Sequence, residues 1–269
     1  MYFSEITQLV NEGSISEYPD PSLFDDNIKR LIESGFVEKE NKEYRFTNHL
    51  TWEVVYETLL YSERRHLHNL VARHIEKENE DVLDNVASKI FYHFDRSENH
   101  QKKIYYASLA GDKAFSLYAI DDALGFYNNA IMSLDKVSKQ TDIESSLLNE
   151  KIADVYKVSG QYSSAVESYS DSLGAWKVVN RNNNKLLTPW PVKYARRLSS
   201  LHHKIAVVNE HMCNYDQAFQ HLDSSEKNLP ARPGNLATKI NSTRSAIHYR
   251  KGEYTDSIEY ANQALAISK

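Results

Sequence analysis

The side chains best suited to chemistry in this chain are its 11 histidines, its single cysteine and one arginine-rich helix. A metal site needs imidazoles or carboxylates that converge on one point. His66 and His68 are two residues apart, and His202 and His203 are adjacent. Each pair therefore diverges on a helix. There is no H-E-x-x-H pattern. We assign no metal and no cofactor, and read these imidazoles as packing and surface groups. Cys213 falls at a chain turn, where a nucleophilic thiol would need an orienting base, and His211 is only a sequence neighbour. One cysteine also excludes an intrachain disulfide and a cysteine-based zinc site. Arg64, Arg65, His66, His68, Arg73 and His74 make one helix basic. Arginine suits bidentate phosphate contact, so a sensor of a partner's nucleotide phosphate is one reading. A brace to acidic neighbours is the preferred one. No catalytic set emerges, and the chain is not read as an enzyme.

The elements that carry these residues are helical. In 269 residues there are only 8 Gly and 6 Pro, too few breakers for a loop-rich β fold. Apolar residues make up 41% and charged residues 26%, the balance of a soluble domain. The net charge of −5 lacks the clustered basic footprint of a nucleic-acid binder. No apolar run approaches the roughly 18 residues of a membrane span. The opening MYFSEITQLVNEG has neither a basic leader nor an apolar core, so it is not read as a signal peptide. A cytoplasmic location is expected. The 18 tyrosines suit half-buried positions, with the ring packed and the hydroxyl wet.

Taken in order, residues 2–12 read as a short helix with Phe3, Ile6, Leu9 and Val10 on one face. A Pro-bounded loop over 17–23 leads to a helix with Leu23, Phe24, Ile28, Leu31 and Ile32 apolar and Gly35 as its stop. FVEKENKEYRF alternates around Asn41–Lys42, so a hairpin is expected with Val37, Tyr44 and Phe46 on one side. Helix, helix, hairpin is the order of a winged helix. Two helices follow. The first is capped by Thr47 or Asn48, with an apolar face of Leu50, Val54, Val55, Leu59 and Leu60. The second starts at Ser62 with Glu63 and buries Leu67, Leu70, Val71 and Ile75. A third carries Val82, Val86, Ile90, Phe91 and Phe94.

From about residue 101 the pattern becomes helix pairs. Aligning a small residue early in each second helix gives Ala123, Ala165, Ala218 and Ser257, separated by 42, 53 and 39 residues. A uniform tetratricopeptide array would give about 34 each time. The excess belongs to longer helices and inserts, the largest containing 180–191. Five residues before each alignment point stand Tyr118, Gly160, Cys213 and Gly252, where a tight turn is needed. Four after it stand Tyr127, Tyr169, Leu222 and Ala261. Small residues let the helices of a pair approach, and the larger one fills the hole against the next pair.

These units resemble tetratricopeptide repeats. The second keeps Ile152, Ala153, Tyr156, Gly160, Tyr162, Ala165 and Tyr169 at the family's positions, and the first keeps Gly111, Ala123, Tyr127 and Ala130. The third and fourth are degenerate, with Asn209 and His248 at the first-helix aromatic position, and the family's Trp and terminal Pro are missing. Over 36–135 the signature Tyr44-Arg45-Phe46, His49, Tyr56, Arg64-Arg65 and His68 resembles the regulatory region behind the ATPase module of class III adenylate or guanylate cyclases and related signalling ATPases. The chain carries no G-x-x-x-x-G-K-[ST] phosphate loop and no cyclase domain. The expected organisation is a winged-helix-like unit over 1–48, bridging helices over 49–100, and an α-solenoid of about four helix pairs over 101–269. The last helix, with Ile258, Ala261, Ala264 and Leu265, is expected to cap it.

The resemblance implies a non-catalytic regulatory module that binds a protein or peptide, or an ATPase or cyclase domain of a parent protein. The first helices of the pairs would line the groove. Its positions fall on Tyr105, Asp112 and Phe115, then Glu150, Lys151, Asp154 and Lys157, then His203, Lys204 and Glu210, then Lys239, Tyr249 and Arg250. The two-Lys, two-Asn carboxylate clamp of some members is absent, because Asp154 and Val207 occupy asparagine positions. The competing reading is a DNA-binding regulator using the winged-helix unit, with the repeats as sensor. Asp25, Asp26 and Glu33 offset Lys29 and Arg30 in its helix, and Glu38, Glu40 and Glu43 offset Lys39, Lys42 and Arg45 in its hairpin. That leaves little net charge to neutralise phosphate.

Overall fold

The computed structural model describes residues 21–40, 43–137, 142–183, 190–231 and 235–268. The helix expected over 2–12 and the middle of the 180–191 insert lie outside these. The chain divides into two compact units, residues 1–113 and 114–269.

The first unit opens with α1 (Pro21–Glu33). Gly35 stops it at φ +73°, where a side chain would be strained, and Phe36 N–H donates back to Leu31 O. β1 (Val37–Glu40) and β2 (Glu43–Phe46) then pair antiparallel, Val37 opposite Phe46 and Lys39 opposite Tyr44. This places Val37, Tyr44 and Phe46 on one face, as the alternation requires. α2 (His49–Thr58) is capped by Asn48, whose side chain accepts from Leu50 N–H at 2.8 Å. Its apolar face is a correction: α2 buries no residue, and Leu50, Val54, Val55 and Leu60 are exposed. Leu31 and Ile32 of α1 are exposed as well. Periodicity shows that a face is apolar but not that anything covers it.

α3 (Tyr61–Glu78) begins one residue before Ser62, and Glu63 accepts the Leu60 N–H at 3.0 Å. It packs on α4 (Leu83–Asp95) through Val71, Ala72 and Ile75 against Ala87, Ile90 and Phe94. Val82 lies in the 3-10 turn between them, 43% exposed. Arg64 pairs with Glu57 at 3.1 Å and Arg65 with Glu98, so the basic helix is braced to acidic neighbours. Glu76 joins α3 to α5 (His100–Ser116) by accepting from Lys102 and from the buried Tyr106 hydroxyl at 2.6 Å.

The second unit holds α6 (Ile120–Leu134), α7 (Asp142–Val158), α8 (Tyr162–Asn183), α9 (Trp190–His211), α10 (Tyr215–Lys227), α11 (Leu236–Lys251) and α12 (Tyr254–Ser268). Helices α7 and α8, α9 and α10, and α11 and α12 pack as pairs, and each pair stacks on the next through α8–α9 and α10–α11. Ala123, Ala165 and Ala218 are completely buried and Ser257 is 8% exposed. Tyr127, Tyr169 and Leu222 fill the space between layers, at most 1% exposed. The tyrosine expectation needs correcting here. The Tyr169 hydroxyl is not wet; it donates to Asp154. A buried hydroxyl must find a partner, and a carboxylate serves.

All four residues five places before the alignment points adopt the left-handed conformation: Tyr118 (φ +58°), Gly160 (+77°), Cys213 (+60°) and Gly252 (+80°). In each case the next N–H donates 2.9 Å back to the preceding helix, at Ala114, Tyr156, Asn209 or His248. The helix stops and the chain reverses within three residues.

A second device brings the helices together. Ser146 and Ser172 are completely buried, and each hydroxyl donates to the other's carbonyl, at 2.9 and 2.8 Å. Ser199 and Ser225 repeat this at 2.7 Å both ways. In the last pair Ser245 donates to Ser257 O at 2.8 Å. The last helix differs from the expected cap. Ala264 is buried, but Ile258 and Leu265 are 63% and 60% exposed.

Left-handed backbone costs a residue with a Cβ about 1–2 kcal/mol. Gly160→Ala should therefore destabilise the protein by about 1 kcal/mol, while Cys213→Gly should be neutral or stabilising, because the relieved strain offsets the unfolded-state entropy of glycine. Urea unfolding of the two variants checks the opposite signs.

Candidate functional site

Helices α7, α9 and α11, the first of each pair, form one wall of the second unit. Three of its acidic residues, Glu150, Asp154 and Glu210, are engaged within the wall. Glu150 is 7% exposed; Lys204 Nζ lies 2.9 Å from its Oε1 and Arg197 Nη2 lies 2.6 Å from its Oε2. Asp154 accepts from Lys204 at 2.6 and 2.8 Å and from the Tyr169 hydroxyl. Burial first, then the charge and hydrogen bond of Asp154, push the Tyr169 phenol far up, so it stays protonated as a donor. This cluster ties α7 and α8 to α9. Further along, Glu210 is 5% exposed and Arg250 Nε lies 2.8 Å from its Oε1, which ties α9 to α11.

Of the residues mapped to the groove, Lys157, His203, Lys204 and Lys239 come together. They line a concavity of about 460 Å³ with Val207, Thr238, Ser242 and Thr243. Glu150, Asp154, Glu210 and Arg250 are engaged in ion pairs within the wall. Lys151 reaches over the Tyr127 ring at 5.6 Å. Tyr249 is exposed beside Tyr254. Tyr105 and Asp112 lie on α5 in the first unit, both exposed, and Phe115 is half-buried at the end of that helix. The residues missed were Thr238, Ser242 and Thr243. Ser242 and Thr243 stand three and four residues after Lys239, a spacing that puts them on its helix face.

His203 sits within the concavity. Thr243 donates its hydroxyl to Lys239 O at 3.0 Å, so at 3.0 Å it accepts from the His203 ring at Nε2. Burial depresses His203 to about 4, and the positive charges of Lys239, Lys157 and Lys204 add to this. The ring is therefore neutral at pH 7.

Two further imidazole pairs are structural. His68 Nδ1 lies 2.9 Å from His93 Nδ1, with the Tyr56 hydroxyl 3.0 Å from its Nε2, and the two join α2, α3 and α4. His202 and His221 meet Nδ1 to Nδ1 at 3.0 Å between α9 and α10. Among the described residues one group has metal-ligand spacing: His248, Glu253 and Asp256. Glu253 there is held by Lys251 at 2.7 Å and by His248 at 2.6 Å, which makes it an ion-pair cluster at a turn. Cys213 is exposed at its turn. In the hairpin, Arg45 pairs with Glu38 and Glu40.

With this geometry in view, the comparisons are informative about fold. No protein-family model and no curated protein matches the chain. It is similar to the solved structure of BtubC (BKLC) from P. vanneervenii, at 13% identity over 82% of this chain and 91% of that one, with a TM-score of 0.56. It is also similar to a Podosopora anserina kinesin light chain with nearly identical TPR-like repeats, at 16% identity over 78% and 96% and a TM-score of 0.53. The apo form of RapI is similar at 14% identity over 81% of this chain and 58% of that one, with a TM-score of 0.54. Likeness at this identity shows the fold: the repeats form a tetratricopeptide-like α-solenoid. Among the described residues no helix is long and apolar enough to cross a membrane.

Two expectations follow. Asp154→Ala should cost about 2 kcal/mol, since it strands the buried Tyr169 hydroxyl. Adding Tyr169→Phe should cost less than the sum of the single changes by at least about 0.5 kcal/mol, as a double-mutant cycle in urea would show. Second, His68, His202 and His203 have folded pKa values depressed to about 4, from an unfolded value near 6.5, mainly by burial. The unfolded state then binds more protons, so stability is complete above about pH 6.5 and is lost as pH falls towards 4. Allowing for solvent screening, the loss is about 1 kcal/mol per imidazole by pH 5. Denaturation midpoints at pH 7 and pH 5 measure it.

Proposed function

We propose that the protein is a non-catalytic, cytoplasmic interaction module whose α7–α9–α11 wall receives a segment of a partner protein. The observation that carries this is the concavity at Lys157, His203, Val207 and Lys239, which spans three successive first helices. The solenoid fold supports it, because stacked pairs present such walls as continuous surfaces. The matches at Tyr44-Arg45-Phe46, Arg64-Arg65 and His68 support a finer reading, in which the module regulates a signalling ATPase or nucleotide cyclase. A catalytic domain of that parent would then be a second partner, and the groove positions on α7, α9 and α11 remain the proposed contact surface, while Tyr105 and Asp112 belong to the first unit.

The test is a peptide-display selection on the full chain. Val207→Trp should fill the concavity and weaken the selected peptides by about tenfold or more, as expected when a pocket contact is lost. Its unfolding midpoint should stay near that of the parent. Peptides that bind both proteins equally would move the site off this wall.

A further inference from the structure

The concavity has an unusual charge balance. Elsewhere on α7, α9 and α11, Arg197 and Lys204 are matched with Glu150 and Asp154, Arg250 with Glu210, and Arg244 with Asp223 and Glu226, while Lys151 lies over the Tyr127 ring. Lys157 and Lys239 are not matched. Among the described residues neither has a carboxylate within ion-pair distance, and no carboxylate lines the concavity. The hydroxyls of Thr238 and Ser242 face the same space and make no side-chain hydrogen bond among the described residues. His203, on the intervening helix α9, lines the same concavity as the two lysines. The lining thus offers two lysine ammonium groups and hydroxyls able to donate, with no carboxylate of its own.

We infer that this concavity binds an extended acidic segment of a partner protein, with Asp or Glu side chains reaching Lys157 from one side and Lys239 from the other. The two lysines stand on helices separated by α9. With neighbouring helix axes about 8–10 Å apart, α7 and α11 stand about 16–20 Å apart across α9, which an extended peptide covers in about five to six residues at about 3.3 Å each. Two carboxylates on one segment therefore match the spacing better than a single C-terminal carboxylate. A long polyanion is disfavoured, because the flanking cations Arg197, Lys204 and Arg250 are already matched by carboxylates and the chain carries a net charge of −5. The inference rests on the groove reading above and adds the chemistry of its occupant.

The experiment is fluorescence anisotropy with the full chain and a labelled, C-terminally amidated peptide of alternating acidic and glycine residues. Glutamine replaces the acids in a neutral control. A third peptide is neutral with a free C-terminus, and a single-stranded oligonucleotide serves as the polyanion. The acidic peptide should bind, weaken steeply with salt, and lose about tenfold affinity in each of Lys157→Glu and Lys239→Glu. Reversal of the exposed Lys136, outside the wall, should leave binding unchanged. Equal binding of the neutral control, preference for the free C-terminus or for the oligonucleotide, or an equal effect of Lys136→Glu would each overturn the inference. If neutral peptides bind in a manner sensitive to Val207→Trp while acidic ones do not, the groove reading stands and the acidic occupant falls. If no peptide binds, both fall.

Discussion

The close approach of the two helices within each pair is the constraint on which the second unit depends. Two local features enforce it. At Tyr118, Gly160, Cys213 and Gly252 the backbone turns left-handed, which ends one helix and starts the next with almost no loop. Between the helices stand alanines and reciprocally bonded serines, whose fully buried hydroxyls satisfy each other's carbonyls. A larger side chain at either place would push the pair apart and open the layer that Tyr127, Tyr169 and Leu222 fill.

That packing has an electrostatic consequence. Once first helices lie side by side, their charged faces meet, and buried carboxylates must be matched. Glu150, Asp154 and Glu210 are matched by cations from the following first helix, so each ion pair also fixes the stacking of one layer on the next. Those charges are thereby balanced within the wall. Lys157, at the end of α7, and Lys239, at the start of α11, fall outside this matching.

Much of this was legible in the residues. Helix pairs, their alignment at small residues and the four turn positions follow from spacing alone, because a helix repeats every 3.6 residues and a tight reversal needs an unhindered backbone. The hairpin face followed from alternation. The exposure of Leu50, Val54 and Val55 did not, since an amphipathic pattern records a preference without its partner. The serine pairs were hidden for a similar reason. Ser146 and Ser172 are ordinary polar residues in sequence, and only their meeting across two helices makes them core.

By itself, then, the chain determined its repeat architecture and the set of polar residues on the first helices, because both depend on local periodicity. Tertiary structure decided which of those residues remain available to a partner. Glu150, Asp154, Lys204, Glu210 and Arg250 read as groove charges but satisfy one another, whereas Lys157 and Lys239 do not. Ion pairing acts over about 4 Å between residues 40 to 50 positions apart, here Lys204 with Asp154 and Arg250 with Glu210. Separation along the chain carries no information about distances of that kind.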